Sequence, residues 1–162
     1  MTELTQARLK ELLDYDPATG IFRRKIKVGG QPVGSIAGVI DADGYRVIRV
    51  DGVKRKAHRL AFLWMEGAIP SGLVDHENTL RDDNAWDNLR EATRAENSAN
   101  SVCRRNKPLA VKGVFVSGSR FRAVICKGGR NRHLGTFDTV EEAQSAYAEA
   151  ARLLFGDFAR VA

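Results

Sequence analysis

Three short segments concentrate the residues able to do chemistry. They are Val74-Asp75-His76, then Asp83-Asn84-Ala85-Trp86-Asp87-Asn88-Leu89-Arg90, then Ala92-Thr93-Arg94-Ala95-Glu96-Asn97. A histidine titrates near ~6.5 and can accept a proton at neutral pH. Carboxylate and amide oxygens suit a hard divalent cation that keeps open positions for water or phosphate. An Asp-His pair alone is ordinarily a turn or a surface pair, and a lone Asn is ordinarily solvated. Together, in this order and at this spacing, the set is specific. His58 heads an apolar helix and reads first as a structural histidine, while His133 lies among arginines far along the chain.

The elements that must position these residues follow from periodicity and turn chemistry. Leu4 to Leu13 reads as an amphipathic helix and Ile21 to Lys27 as a strand. Val39 to Val50 reads as a hairpin turning at Asp43-Gly44, with a second turn at Asp51-Gly52. Ala57 to Glu66 is a helix closed by Gly67. Short β character falls around Leu73-Val74 and Leu89-Arg90. A helix begins at Thr93, where Thr93 and Glu96 have the form of a capping box. Strands are expected over about 113–117, 120–126 and 132–137, then a helix over about 140–155 that opens with the same pattern, Thr139 to Glu142.

The three segments resemble the HNH endonuclease family, in its phage and intron-encoded homing branch. Asp75-His76 matches the first motif position, Asn88 the middle one and Asn97 the last. The likeness extends upstream through Gly44-Tyr45 and Ala57-His58-Arg59-Leu60. Thr79 stands where a glycine is common, and Glu77 where an apolar residue is usual. The resemblance implies a ββα-metal nuclease module over 1–103 that hydrolyses DNA phosphodiester bonds. It implies catalytic roles for His76, as general base, and Asn88, as a brace for the loop. It also implies a divalent ion, magnesium first and manganese second, held by Asp75 and Asn97.

Residues 112–162 resemble the Apetala/ethylene-response-factor DNA-binding domain. The matching residues are Lys112-Gly113-Val114, Arg120 to Ile125, Leu134-Gly135-Thr136-Phe137, Glu141-Glu142-Ala143, Ala146-Tyr147 and Gly156 to Ala159. The expected fold class is therefore α+β, a nuclease module followed by a three-stranded antiparallel sheet packed on one helix, with a basic linker over 104–111. Lys112, Arg120, Arg122, Lys127, Arg130 and Arg132 are the expected DNA contacts. Where the plant family carries sheet tryptophans, this chain has Phe121 and His133, so base preference does not carry over.

Charge agrees with a polyanionic partner. The 162 residues carry a net charge of +6. Residues 1–102 balance 15 basic against 15 acidic side chains, and residues 103–162 carry 11 against 5. On that count the grip on double-stranded DNA is expected after residue 102. The two cysteines, Cys103 and Cys126, exclude a disulfide framework or a four-cysteine zinc site, and both thiols are expected to be structural. No signal pattern or membrane-length apolar run is present, so a cytoplasmic protein is expected, in a bacterial host if phage encoded. One active site cuts one strand per encounter, so double-strand cleavage needs a homodimer or two visits. The competing expectation is a DNA-binding regulator with a decayed nuclease domain, and the intact set Asp75, His76, Asn88 and Asn97 weighs against it.

Overall fold

The computed structural model describes residues 4–101, 109 and 111–160. It is a mixed α+β protein with several small antiparallel sheets, and it divides into two compact units, 1–91 and 92–162.

In the first unit, helix α1 (Gln6–Leu12) is capped by the Thr5 hydroxyl and ends where the chain turns into strand β1 (Leu13–Asp16). β1 pairs antiparallel with β2 (Ile21–Arg24). The helix expected to run to Leu13 stops one residue short, and Leu13 instead opens β1. The alternation that marks the strand is only four residues long, with Leu13 and Tyr15 buried between exposed aspartates.

Strands β3 (Val39–Ile40), β4 (Arg46–Val50) and β5 (Val53–Lys56) form a second antiparallel sheet. Both expected turns are present. Asp41 closes the first by accepting the backbone N–H groups of Asp43 and Tyr45. Asp51 and Gly52 both take positive φ in the second, as a tight hairpin requires.

Helix α2 (Ala57–Glu66) follows and stops at left-handed Gly67. Leu60 and Ala61 of α2 bury against Leu9, Phe22 and Ile48. Tyr15 and Phe22 stack with ring centroids 4.5 Å apart, and Trp64 meets Phe22 edge-on. β6 (Leu73–His76) then pairs with β7 (Leu89–Ala92).

In the second unit, α3 (Arg94–Asn100) carries the complete capping box of Thr93 and Glu96. β8 (Val114–Ser117), β9 (Arg120–Lys127) and β10 (Arg130–Phe137) form an antiparallel sheet with β9 in the centre. α4 (Val140–Phe155), with its own capping box at Thr139, packs Ala143, Tyr147 and Ala151 against Ala123 and Ile125. Leu109 and Val111, read from sequence as linker, pack against this core. The rest of the expected linker, with Cys103, lies outside the described residues. Cys126 is an exposed free thiol and contributes nothing to the core. No helix among the described residues is long and apolar enough to cross a membrane.

Candidate active site

His76 ends β6 and is buried, as is Asp75 beside it. The His76 Nε2 lies 3.3 Å from Oδ1 of Asn84, a side chain only 1% exposed. The Asn84 amide nitrogen donates to the Asp82 carbonyl at 2.9 Å, which turns the amide oxygen toward the ring. An amide oxygen only accepts, so a hydrogen bond here needs the proton on Nε2. Burial is the main cause holding His76 below the ordinary histidine range, opposed by the Asn84 bond and by Asp75 and Asp83. Burial thus favours the neutral ring, the form able to accept a proton.

Asn84 is itself anchored from behind. Its carbonyl accepts the Tyr15 hydroxyl at 2.7 Å. Gly20, at φ +70°, lies so close that a Cβ there would stand 2.1 Å from the Asn84 carbonyl carbon. The loop before Asn84 is tied to the β3–β4 turn by a two-bond pair, Arg46 to Asp82 at 2.9 and 3.0 Å, and by Arg81 donating to the Asp43 carbonyl.

The Asp75 Oδ2 accepts Arg90 Nε at 3.0 Å, across the β6–β7 pair. A carboxylate this buried requires a partner, because an unpaired buried charge is costly. Asn88 stitches the intervening loop. Its Oδ1 accepts the Asn78 N–H at 3.0 Å, its amide donates to the Asp83 carbonyl at 2.7 Å, and its carbonyl accepts the Glu77 N–H at 2.9 Å. Thr79 takes φ +66° in that loop, the conformation that a glycine would adopt freely.

A second histidine adjoins the first. The His58 and His76 rings meet edge-on with centroids 5.1 Å apart, and Tyr45 contacts both at 5.4 and 6.0 Å. The Lys56 ammonium sits 3.5 Å over the Tyr45 ring. His58 is pushed down to about 3, by burial first and then by the nearby His76, Lys56 and Arg59 charges.

Asp75, His76 and Asn88 therefore come together in the first unit. Asn97 lies on α3 of the second unit, one turn beyond Thr93, whose carbonyl accepts its N–H at 3.0 Å. Sequence reasoning passed over Asn84, Arg90 and Tyr45 as working residues. Asn84 carries no periodic signal; only its place between the motif segments hinted at it.

The basic residues of the second unit divide between faces. Side chains alternate along a strand, and residues paired across an antiparallel ladder share a face. Ala123 and Ile125 face the helix, so Arg120 and Arg122 face away from it. Arg132 pairs with Ile125 and Arg130 with Lys127, which puts these three on the helix side. Lys127 donates to the Leu154 carbonyl at the end of α4. Lys112 donates to the carbonyls of Ser98, Ala99 and Ser101 and closes the end of α3. The six expected contacts are not one patch. Arg120 and Arg122 share the open face with Asn131, His133 and Thr136.

Comparison with known proteins bears on this arrangement. Residues 55–99 match the HNH endonuclease family. The matched HNH segment contains Asp75, His76, Asn84, Asn88, Arg90 and Asn97. The chain is also 37% identical over 109 residues to a protein of Acanthamoeba polyphaga mimivirus named as uncharacterized HNH endonuclease L560. That alignment covers 65% of this chain and 56% of the viral protein, so the chain spans just over half of its relative's length. No solved structure matches the chain.

Proposed function

We propose that the chain is a metal-dependent DNA endonuclease, with His76 as general base and Asn88 as the brace of its loop. The observation carrying this reading is the His76–Asn84 pair beside the buried Asp75–Arg90 pair, inside the HNH segment. In this reading Nδ1 of His76 takes the proton of the attacking water, and Nε2 stays bonded to Asn84.

Carboxylate and amide oxygens are donors that a magnesium-type ion takes. Among the described residues no three His, Cys, Asp or Glu side chains gather to cage a metal. A site built from one buried carboxylate, an amide oxygen and the substrate phosphate is what such an ion accepts. Asp75 and, on the sequence resemblance, Asn97 are its proposed protein ligands, with manganese as a substitute. When bound, the ion supplies charge stabilisation at the scissile phosphate and the leaving oxygen. The ββα-metal arrangement of the nuclease module, 1–103, belongs to the same proposal.

The second half, 112–162, is proposed as an Apetala/ethylene-response-factor type DNA-binding module that selects sites. Arg122, on the open face of its sheet, supports that reading most directly; Arg120 shares the face but pairs with Asp138 at 2.7 Å. Cutting both strands of a duplex requires a second copy of the chain or a second encounter.

The test is cleavage of supercoiled plasmid with magnesium, with EDTA, and with His76→Ala. The wild-type chain should cut only with metal. His76→Ala should lose about 10²–10⁴-fold in rate and bind DNA as before. Cleavage in EDTA, or at full rate by His76→Ala, would overturn the mechanism.

A further inference from the structure

The balanced charge of the N-terminal half conceals a one-signed groove. Beside the β3–β4–β5 sheet lies a groove of about 690 Å³ lined by Arg24, Arg49, Lys54, Arg55 and Lys56, against the single carboxylate of Asp41. That carboxylate is already engaged by the backbone of its own turn. Among the described residues, none of the five cations forms an ion pair.

Two features of the groove work against stability. First, the register sets Arg49 directly opposite Lys54, and Val47 opposite Lys56. Arg49, Lys54 and Lys56 thus share one face, and like charges directly opposite in a ladder repel. Second, Nε of Arg24 and Nε of Arg55 are buried and find no hydrogen-bond acceptor among the described residues. A buried donor without an acceptor costs about 1–3 kcal/mol. Local conflicts of this kind concentrate at functional sites, and a polyanion lying in the groove would relieve the repulsion between Arg49, Lys54 and Lys56. The groove also reaches the candidate site. Lys56 lines it and sits over the Tyr45 ring, which in turn touches His76.

We propose that this groove binds the phosphate backbone of duplex DNA and leads it to His76, so that the nuclease unit carries its own substrate grip. The choice of duplex DNA rests on the nuclease reading; the anionic ligand rests on the groove alone. Each neutralised phosphate contributes about −0.9 to the slope of log affinity against log salt.

The test measures binding of the full-length chain to a random-sequence duplex in EDTA, over a range of salt, so that no cleavage intervenes. The pair Arg49→Gln with Lys54→Gln is suited to it, because both side chains are exposed. The expected result is a slope shallower by about two and, near 0.1 M salt, a loss of about tenfold per charge removed. Lys10→Gln, on α1 and outside the groove, should leave both unchanged. Equal effects of the pair and of Lys10→Gln, per charge, would overturn the groove. So would a larger loss on single-stranded RNA than on the duplex. Arg24→Gln gives a second reading through a buried donor, with the thermal midpoint measured alongside to confirm folding. A chain that binds through the groove but never cuts would sink the nuclease reading and leave the groove standing.

Discussion

Asn84 meets Nε2 of His76 through its amide oxygen at 3.3 Å, a contact that favours a proton on that nitrogen. The bond runs from a loop to a strand end eight residues away. It ties His76 to a residue with no reactivity of its own.

Asn84→Leu keeps the branching at Cγ, adds some bulk and removes the acceptor. Cleavage should fall by roughly 10–10²-fold, a part of what a general base contributes, with DNA affinity in EDTA unchanged. Imidazole ¹⁵N shifts should change from a single tautomer to a mixture. A single unchanged tautomer in the variant would show that Asn84 is only packing.

The faces of the second sheet separate two kinds of arginine. Arg122→Ala on the open face should cost about 1–3 kcal/mol on a preferred site and little on random duplex, if it reads a base. Arg132→Ala, in register with helix-facing Ile125, should leave site preference untouched. Competition binding against a selected site measures both. Equal losses of preference would contradict the assigned faces.

His58 links stability to pH. Its folded pKa is depressed to about 3, against an ordinary value of 6.5. Between those values the unfolded chain binds the extra proton, so stability is complete above about pH 6.5 and falls as the pH drops toward 3. The slope from this residue is up to ~1.4 kcal/mol per pH unit. Urea unfolding of wild type and His58→Gln at several pH values should show a flatter profile in the variant. Parallel profiles would assign the acid sensitivity elsewhere.

Thr79 is a β-branched residue at φ +66°, where such side chains are strained. Thr79→Gly should therefore stabilise the chain by roughly 1 kcal/mol, read as a rise in the urea midpoint. A lower midpoint would mean that the hydroxyl gives more than the backbone loses.

Much of this architecture was legible in the sequence because its signals are local. The capping boxes at Thr93 and Thr139, the Gly67 stop and the two Asp-Gly turns all form as their chemistry dictates. Asp75, His76 and Asn88 stand out in the sequence because they sit at motif spacing. What the sequence hid is non-local. Arg24, Arg49 and Lys54 to Lys56 share a groove only after three strands have paired, and a count of charges along the chain cancels them against Asp43, Glu66 and other acids elsewhere. Nor could the sequence say that Arg130 and Arg132 share the face of Ile125. That depends on the ladder register, which slips between His133 and Gly135.

The tight approach of Gly20 to Asn84 has a consequence for how this chain can diverge. Residue 20 has no side chain and takes no part in chemistry, yet any Cβ there would push on the backbone that carries the partner of His76. Under selection for cleavage, position 20 should behave as though it belonged to the active site. Its substitution would be deleterious in every genetic background that keeps Asn84, and tolerated only where the base has found another support.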